Sequence, residues 1–307
     1  MINMNYYSLN KYLKEMFGEK VYKLSLNGGM TCPNRDGTLG TKGCIFCSRG
    51  GSGEFAADSV LSIGEQINQA KQKIRKKTDC KKFIAYFQPF TNTYADTEYL
   101  ERIFTQAVAR DDIVALSIAT RPDCLENNVL ELLERLNKIK PVWVELGLQT
   151  IHEKSADYIR RMYPLSVYDK AVNDLHSIGI NVITHIILGL PYETKAMMLE
   201  TVKYVGERTD GIKLQLLHVL KNTDLCDDYR SGKFKVLTLD EYIDILCDCI
   251  EVLPENVVVH RLTGDGDKKL LVAPLWSADK KRVLNTINRK FSERNVVQGK
   301  MKNDCRS

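Results

Sequence analysis

Short apolar runs alternate with amphipathic segments along most of the chain. Six runs rich in aliphatic and β-branched residues, each about seven residues long, are typical of strands. They lie at 21–27, 83–88, 113–119, 142–148, 181–188 and 211–217. Leucines at helical spacing, as in 125–139, fill the intervals between them. Because the runs are apolar at successive positions, they predict a parallel sheet covered by helices on both sides.

Three helix starts are predicted by a Ser or Thr followed three residues later by an acid. The pairs are Ser62 with Glu65, Ser166 with Asp169, and Thr238 with Glu241. Strand starts recur every 30 to 40 residues, except that the first interval is about 62 residues and indicates a long loop. An α/β fold follows, either a doubly wound sheet or an incomplete barrel, with its site at the carboxyl ends of the strands.

The long loop after the first strand carries Cys32, Cys44 and Cys47 among many glycines. Glycines let the backbone approach a bulky inorganic group. Three cysteines fall short of the four ligands of a structural zinc site, but they can hold three irons of a four-iron cluster and leave the fourth open. Two alternatives stay open: Cys80 or Cys124 supplies a fourth ligand and closes a zinc or iron–sulfur site, or the cysteines are unrelated buried thiols.

Composition and charge narrow the class of protein. The 307 residues are 44% hydrophobic and 27% charged, which excludes a disordered chain. The N-terminus has no apolar stretch typical of a signal peptide and no run of 18 apolar residues occurs, so we expect a cytoplasmic protein without a membrane span. The net charge is +5, yet residues 279–307 alone carry +6 and residues 70–83 hold seven basic residues. Such stretches attract phosphate backbones or are solvated helix faces.

At the cysteine loop the sequence resembles radical S-adenosylmethionine (SAM) enzymes, through Cys32, Cys44 and Cys47 and through Phe46 just before the last cysteine. The wide gap between the first two cysteines is similar to the Elongator-protein-3-like branch. The strings ELGLQT (145–150), HIILGLP (185–191) and HRLTGDG (260–266) resemble the YtqA/YhcC group of small bacterial radical SAM proteins.

This resemblance implies a partial (β/α)6 TIM-like barrel over 21–278, with the cluster loop at 28–58. An N-terminal segment, 1–20, precedes the barrel, and a basic C-terminal extension, 279–307, follows it. It also implies one [4Fe–4S] cluster on the three cysteines, SAM, and a reducing partner such as flavodoxin or ferredoxin. The cluster would cleave SAM to a 5′-deoxyadenosyl radical that abstracts hydrogen from the substrate, and the protein would bind, orient and exclude water.

The same resemblance assigns SAM contacts. Phe46 flanks the cluster, and Gln88 and Asn92 lie in the segment that meets the SAM amino group, where the usual glycine-rich form is absent. Thr120 stands where some relatives carry an acid. Gln149 matches a ribose-binding glutamine. Arg161, twelve positions later, matches the arginine that meets the SAM carboxylate, a pairing that suits a guanidinium.

Further assignments concern the later strands. His185 stands where an acid holding the SAM ribose is expected, with a core histidine as the alternative. Gly189 and Leu190 would let backbone approach the adenine.

Four residues are candidates for substrate chemistry. Glu145, with His185, is expected to be catalytic if it points into the barrel, and to pair with a helix cation if it points outward. Arg261 and Asp265 are candidates for positioning substrate, or they form a local ion pair in a turn.

Because the Elongator-like relatives modify the wobble uridine of tRNA, the resemblance suggests a 5-substituted wobble uridine as substrate. Conversion of a carboxymethylaminomethyl arm to aminomethyl is one sensible step. Two alternatives remain: a radical SAM enzyme acting on a small molecule such as a porphyrin precursor, and a non-enzymatic iron–sulfur or zinc protein. If the basic tail docks tRNA, removing 279–307 should weaken tRNA binding more than SAM cleavage, provided that the barrel folds.

Overall fold

A curled sheet of seven parallel strands forms the centre of the computed structural model, which describes residues 6–51, 53, 56–75, 78–264 and 266–303. The strand order follows the chain, so each strand pairs with the one before it. The seven strands are β1 (Val21–Leu26), β2 (Lys82–Phe87), β3 (Ile113–Thr120), β4 (Val142–Gln149), β5 (Asn181–Leu188), β6 (Gly211–Leu216) and β8 (Val258–Arg261). Two short strands, β7 (Val219–Leu220) and β9 (Leu271–Ala273), form a separate antiparallel pair. The predicted α/β partial barrel is confirmed.

The seventh strand, β8, was not predicted. It is only four residues long and leads directly into the polar string at 260–266, so it lacks the length of the other apolar runs. It pairs in parallel with β6 and closes the edge that the six predicted strands would leave open.

Helices surround the sheet, and those that contribute to the main core cover its outer face. They are α1 (Leu9–Phe17), α2 (Ile63–Arg75), α3 (Thr97–Val108), α4 (Asn127–Asn137), α5 (Glu153–Tyr158), α6 (Leu165–Ser177), α7 (Lys195–Gly206), α8 (Asp224–Arg230), α9 (Leu239–Val252), α10 (Lys280–Glu293) and α11 (Lys300–Asn303). Two predicted helix starts are confirmed. Ser62 and Glu65 exchange hydrogen bonds ahead of α2, and Thr238 and Glu241 form a capping box on α9.

The predicted start at Ser166 is wrong. Helix α6 begins at Leu165 after Pro164, which has no side-chain cap, so Ser166 lies inside the first turn. The Leu165 N–H donates instead to the Glu153 carboxylate at 2.9 Å. A residue distant in sequence therefore satisfies a donor that a local serine was expected to serve.

Side chains alternate between the two faces of each strand, as the pleat requires. In β4, Val144 and Leu146 pack into the large core beneath the helices, whereas Trp143 and Glu145 face the barrel interior. The inward positions form layers. The layer at the amino ends is apolar, and it consists of Val21, Ile84, Ala115, Trp143 and Ile183. The next layer towards the carboxyl ends carries charged and polar side chains.

Segments near both ends of the described chain pack against the barrel. Leu13 of α1 packs against the apolar inward layer, and Ser8 bridges to Val259 of β8. At the other end of the chain, α10 packs on α9 and buries Val283, Ile287 and Phe291 in the main core. Within the described residues, none of the helices combines the length and the apolar character that a bilayer crossing requires.

Candidate functional site

A cavity of about 240 Å³ opens at the carboxyl ends of the strands. Its wall contains Cys32, Cys44 and Cys47 on one side and the inward side chains of β2 to β6 on the other. The cysteine loop and the polar layer of the barrel therefore face the same space, as expected of a site built on strand ends.

Turns and buried hydrogen bonds fix the cysteine loop. The Cys47 N–H donates to the Cys44 carbonyl at 3.0 Å, so a tight turn carries both thiols. Arg35 donates to the carbonyls of Cys47 and Ser48 at 3.0 and 2.6 Å. Asn34 Nδ2 lies 3.5 Å from Cys44 Sγ and donates to the Arg160 carbonyl at 2.8 Å. These hydrogen bonds hold the cysteine loop in a defined conformation.

The three thiols fit an iron–sulfur cluster by their chemistry, since none is oxidised to a disulfide and thiolates are the usual ligands of such clusters. Burial raises the pKa of Cys44 to about 12, and the nearby Cys47 adds to this effect, whereas Arg121 opposes it. A metal ion would supply the positive charge that favours the thiolates. In the described residues no three His, Cys, Asp or Glu side chains are gathered closely enough to hold a metal ion as they stand.

Residues after β2 and β3 divide into cavity walls and supports. Gln88 and Thr120 line the cavity, as does Phe46 beside the cysteines. Gln88 accepts a hydrogen bond from Ser25 at 2.9 Å. Asn92 is fully buried and donates to the carbonyls of Pro89 and Ala119 at 3.0 and 2.8 Å. It therefore ties the segment after β2 to the end of β3 from outside the cavity wall.

Gln149 and Arg161 both border the cavity. A bulge in β4 gives Gln149 a left-handed backbone, with φ of 71°, at the rim. The Arg161 guanidinium, however, is only 2% exposed and already donates to the carbonyls of Tyr163 and Thr150 and to the Glu153 carboxylate. Most of its donors are thus committed to structure.

Arg121 was not singled out from the sequence, although it follows Thr120 directly at the end of β3. It lines the cavity, and a two-point contact with Asp123 at 2.9 and 2.7 Å orients its guanidinium.

Glu145 lies at the centre of the polar layer and is fully buried. Lys23 Nζ, 2.5 Å away, and Ser117 Oγ, 2.7 Å away, donate to its Oε1 atom. Lys213 and His185 donate to Oε2, the latter at 2.7 Å. The carboxylate therefore points into the barrel with four donors around it.

These contacts set the charges of the layer. Burial alone would raise the pKa of Glu145, but the ammonium groups of Lys213 and Lys23 outweigh burial and hold the pKa well below its usual range. Burial, reinforced by Lys213, lowers the pKa of His185 to about 4. Glu145 is thus ionised and His185 neutral at pH 7, so the Nε2–H of the imidazole donates to the carboxylate.

The remaining predicted residues have different positions. Gly189 and Leu190 lie outside the wall, and Leu190 packs with Ile45 of the cysteine loop. Arg261, at the end of β8, lines the cavity. Asp265 lies outside the described residues.

Lys23 and Lys213 are two further site residues that were not predicted from the sequence. Each is a single lysine at an inward position of an apolar strand, two residues from another polar inward residue, Ser25 and Gln215 respectively. Polar residues at every second position of an apolar strand were the signal that could have identified these lysines.

The chain belongs to the radical SAM superfamily, because the sequence model of the family described as "Radical SAM superfamily" matches residues 32–205. The Radical_SAM C-terminal domain matches residues 209–293. The fold and the cysteine-lined cavity agree with this membership.

Two curated relatives resemble nearly the whole chain. It is 46% identical to the uncharacterized protein YtqA of Bacillus subtilis, over 96% of this chain and 92% of the relative. It is 36% identical to the protein YhcC of Escherichia coli, over 92% and 91% respectively.

More distant similarities point to larger proteins. A tRNA uridine(34) acetyltransferase of Methanocaldococcus jannaschii is 27% identical over 61% of this chain and 34% of its own length. Among solved structures, an N-terminally truncated Elp3 of Methanocaldococcus infernus superposes with a TM-score of 0.70 at 17% identity, over 91% of this chain and 64% of that one. This structural likeness supports the fold.

Proposed function

We propose that the chain is a radical SAM enzyme in which Cys32, Cys44 and Cys47 hold a [4Fe–4S] cluster. The observation that carries this proposal is that three reduced thiols of one rigid loop face the same cavity as the Glu145 layer. When bound, the cluster and SAM supply a 5′-deoxyadenosyl radical that removes a hydrogen atom from the substrate. A one-electron donor such as flavodoxin or ferredoxin would reduce the cluster in the cytoplasm.

The protein's own contribution is positioning and exclusion of water. Phe46, Gln88, Thr120 and Gln149 form the wall where a nucleoside would lie, and Asn92 holds the loops behind it. Arg121 presents a fixed cation beside the thiols. Its chemistry suits the SAM carboxylate at least as well as that of Arg161, whose donors are largely committed.

In this proposal Glu145 and His185 belong to a fixed layer of charged and polar side chains at the bottom of the cavity. Because Lys213, Lys23 and His185 hold the pKa of its carboxyl group low, Glu145 is a poor proton acceptor near neutral pH. It is well suited to orienting the two lysines. Arg261, at the rim, would contact the substrate.

The substrate that we propose is the C5 side chain of a tRNA wobble uridine. Support comes from the distant relatives that are named for uridine 34 of tRNA and from exposed basic residues on α10. The step would be a two-electron oxidation with SAM as the oxidant, which would become methionine and 5′-deoxyadenosine. The carbon between nitrogen and the carboxylate of a carboxymethylaminomethyl arm would lose a hydrogen atom, then an electron and a proton, and so become an imine. Water would hydrolyse the imine to an aminomethyl group and glyoxylate.

The enzyme class is tested by anaerobic reconstitution of the cluster followed by reduction with dithionite and chromatographic assay of 5′-deoxyadenosine. We expect SAM-dependent formation of 5′-deoxyadenosine. Absence of SAM cleavage by a protein that contains a full cluster would overturn the radical SAM assignment.

The substrate is tested separately in a strain that lacks the gene. Mass spectrometry of its tRNA nucleosides should show a carboxymethylaminomethyl uridine in excess and a deficit of the aminomethyl product. Complementation with the wild-type gene, but not with a Cys32→Ala gene, should restore the profile. An unchanged wobble-uridine profile contradicts the tRNA proposal and leaves the small-molecule alternative.

A further inference from the structure

Two lysines share a single carboxylate inside the barrel. Lys23 on β1 reaches Oε1 of Glu145, and Lys213 on β6 reaches Oε2. Within the described part of the chain, Glu145 is the one acidic side chain that either ammonium group contacts. The neighbouring His185 is neutral at pH 7. When both lysines are protonated, Lys23, Lys213 and Glu145 together therefore carry one excess positive charge.

Burial makes this excess costly. The side chain of Lys213 is 6% exposed and that of Glu145 is inaccessible to solvent. A buried ion without its own counter-ion costs several kcal/mol. Burial lowers the pKa of Lys213 to about 7; Glu145 opposes the shift, whereas Lys23 and Arg261 add to it. A second anion near Lys213 would stabilise its charged form.

The geometry leaves Lys213 able to meet such an anion. Its ammonium group donates to Glu145 and, at 3.1 Å, to the Tyr86 hydroxyl. A lysine ammonium has three donors, so one is left over from these contacts with the described residues. Lys213 lines the cavity, whereas Lys23 stands behind Glu145 between the rings of Tyr86 and Trp143.

We propose that Lys213, supported by Lys23, forms an anion-binding subsite on the cavity floor that holds a carboxylate of the substrate's reacting arm. The inference rests on the proposed function in taking this cavity as the substrate site. A carboxylate matches a single excess positive charge in a small enclosed space. A backbone phosphate of a large nucleic acid cannot descend to a residue that is buried beneath the strand ends.

The other possible source of the carboxylate is SAM itself. The test therefore uses full-length reconstituted protein saturated with SAM and kept oxidised, so that no cleavage occurs. Calorimetric titration compares N-acetylglycine with N-acetylglycinamide, which have the same shape but differ in charge. We expect the carboxylate to bind about 10- to 100-fold more tightly than the amide, the range for a charge-assisted hydrogen bond.

Three variants test whether Lys213 causes the preference for the carboxylate over the amide. Lys213→Met should bind the two probes equally, and Lys213→Arg should keep part of the preference. Lys203→Met removes an exposed lysine of α7 and should behave as wild type. If Lys213→Met does not fold, the wild-type protein and the arginine variant still decide the question.

The results separate this inference from the proposed function. Equal binding of the two probes to wild type overturns the subsite even if SAM is cleaved normally. A Lys213→Met protein that keeps the carboxylate preference but loses SAM affinity also overturns it, because the anion at Lys213 would then belong to SAM. A wild-type preference that depends on Lys213 supports the subsite whether or not tRNA proves to be the substrate.

Discussion

Lys23 of the first strand reaches across the barrel interior to Glu145 of the fourth strand, with Nζ 2.5 Å from Oε1. These strands are not neighbours in the sheet, so the contact joins two walls of the barrel. Lys213 approaches the same carboxylate from β6. The floor of the cavity is therefore one electrostatic unit rather than a set of separate side chains.

Replacing the shared carboxylate should destabilise the fold. Glu145→Gln leaves the buried Lys213 and the half-buried Lys23 without their carboxylate partner, and breaking a buried ion pair typically costs about 3–5 kcal/mol. Urea unfolding at pH 7 measures this loss. The matched change Glu131→Gln, on the exposed face of α4, should alter the free energy of unfolding by less than about 0.5 kcal/mol. A Glu145→Gln protein as stable as wild type would show that the lysines do not depend on Glu145, either because another anion is present or because Lys213 loses its proton.

His185 should make the protein sensitive to mild acid. Its pKa is lowered from 6.5 to about 4, so the unfolded chain binds a proton between these values that the folded chain does not. Stability therefore falls as the pH drops from 6.5 to 4, by about 3 kcal/mol from this group. His185→Gln should flatten that part of the pH profile of unfolding. Gln215→Met, a neutral change in the same cavity wall, should keep the wild-type slope; equal slopes in all three proteins contradict the prediction.

The fold was largely predictable because the apolar runs that form the strands can be recognised in the sequence. Six apolar runs matched six strands, and the long cysteine loop followed from their spacing. β8 was missed because four residues do not make a recognisable run. The start of α6 was misplaced because its cap comes from Glu153, on another helix, and a local pattern does not report such a partner.

The part of the site that lies in one loop could be predicted from the sequence. The part that the fold assembles from distant strands could not. Three cysteines of one loop identified the cluster position. Lys23 and Lys213 are 190 residues apart in sequence, and only the barrel brings both onto one carboxylate. Arg161 had the right spacing for a ligand contact, yet its donors are largely committed to neighbouring carbonyls and Glu153.

Each cysteine of the loop should be required for the cluster. Cys32→Ala, Cys44→Ala and Cys47→Ala should bind little iron and lose the visible absorbance of the cluster. They should lower 5′-deoxyadenosine formation by more than about 100-fold, the upper range for changes that only neighbour a metal ligand. Cys80→Ala is the control, since this thiol contacts the backbone of Lys20 and Lys82. Full iron content in any of the three loop variants would remove that cysteine from the cluster.

Helix α10 should be part of the folded core. Phe291 of α10 is buried with Val283 and Ile287, so Phe291→Ala should cost about 3–5 kcal/mol of unfolding free energy. Leu284→Ala, at a position 36% exposed on the same helix, should cost less than about 1 kcal/mol. Deleting 279–307 would remove these core side chains, and loss of tRNA binding after deletion would then report unfolding. If both substitutions prove neutral, α10 is a detachable appendage.

The basic face of α10 is better tested by substitution. Lys281, Arg282 and Arg289 border a groove at the starts of α9 and α10, away from the buried side of the helix. Changing all three to serine should weaken tRNA binding and reduce the slope of log K against log salt by about 2–3, because each phosphate contact contributes about 0.7–0.9. SAM cleavage without tRNA should be unchanged. The control changes Lys11, Lys14 and Lys20, around α1 at the opposite end of the barrel, and should keep the wild-type slope. Equal slopes for both triple variants would place the tRNA on another surface.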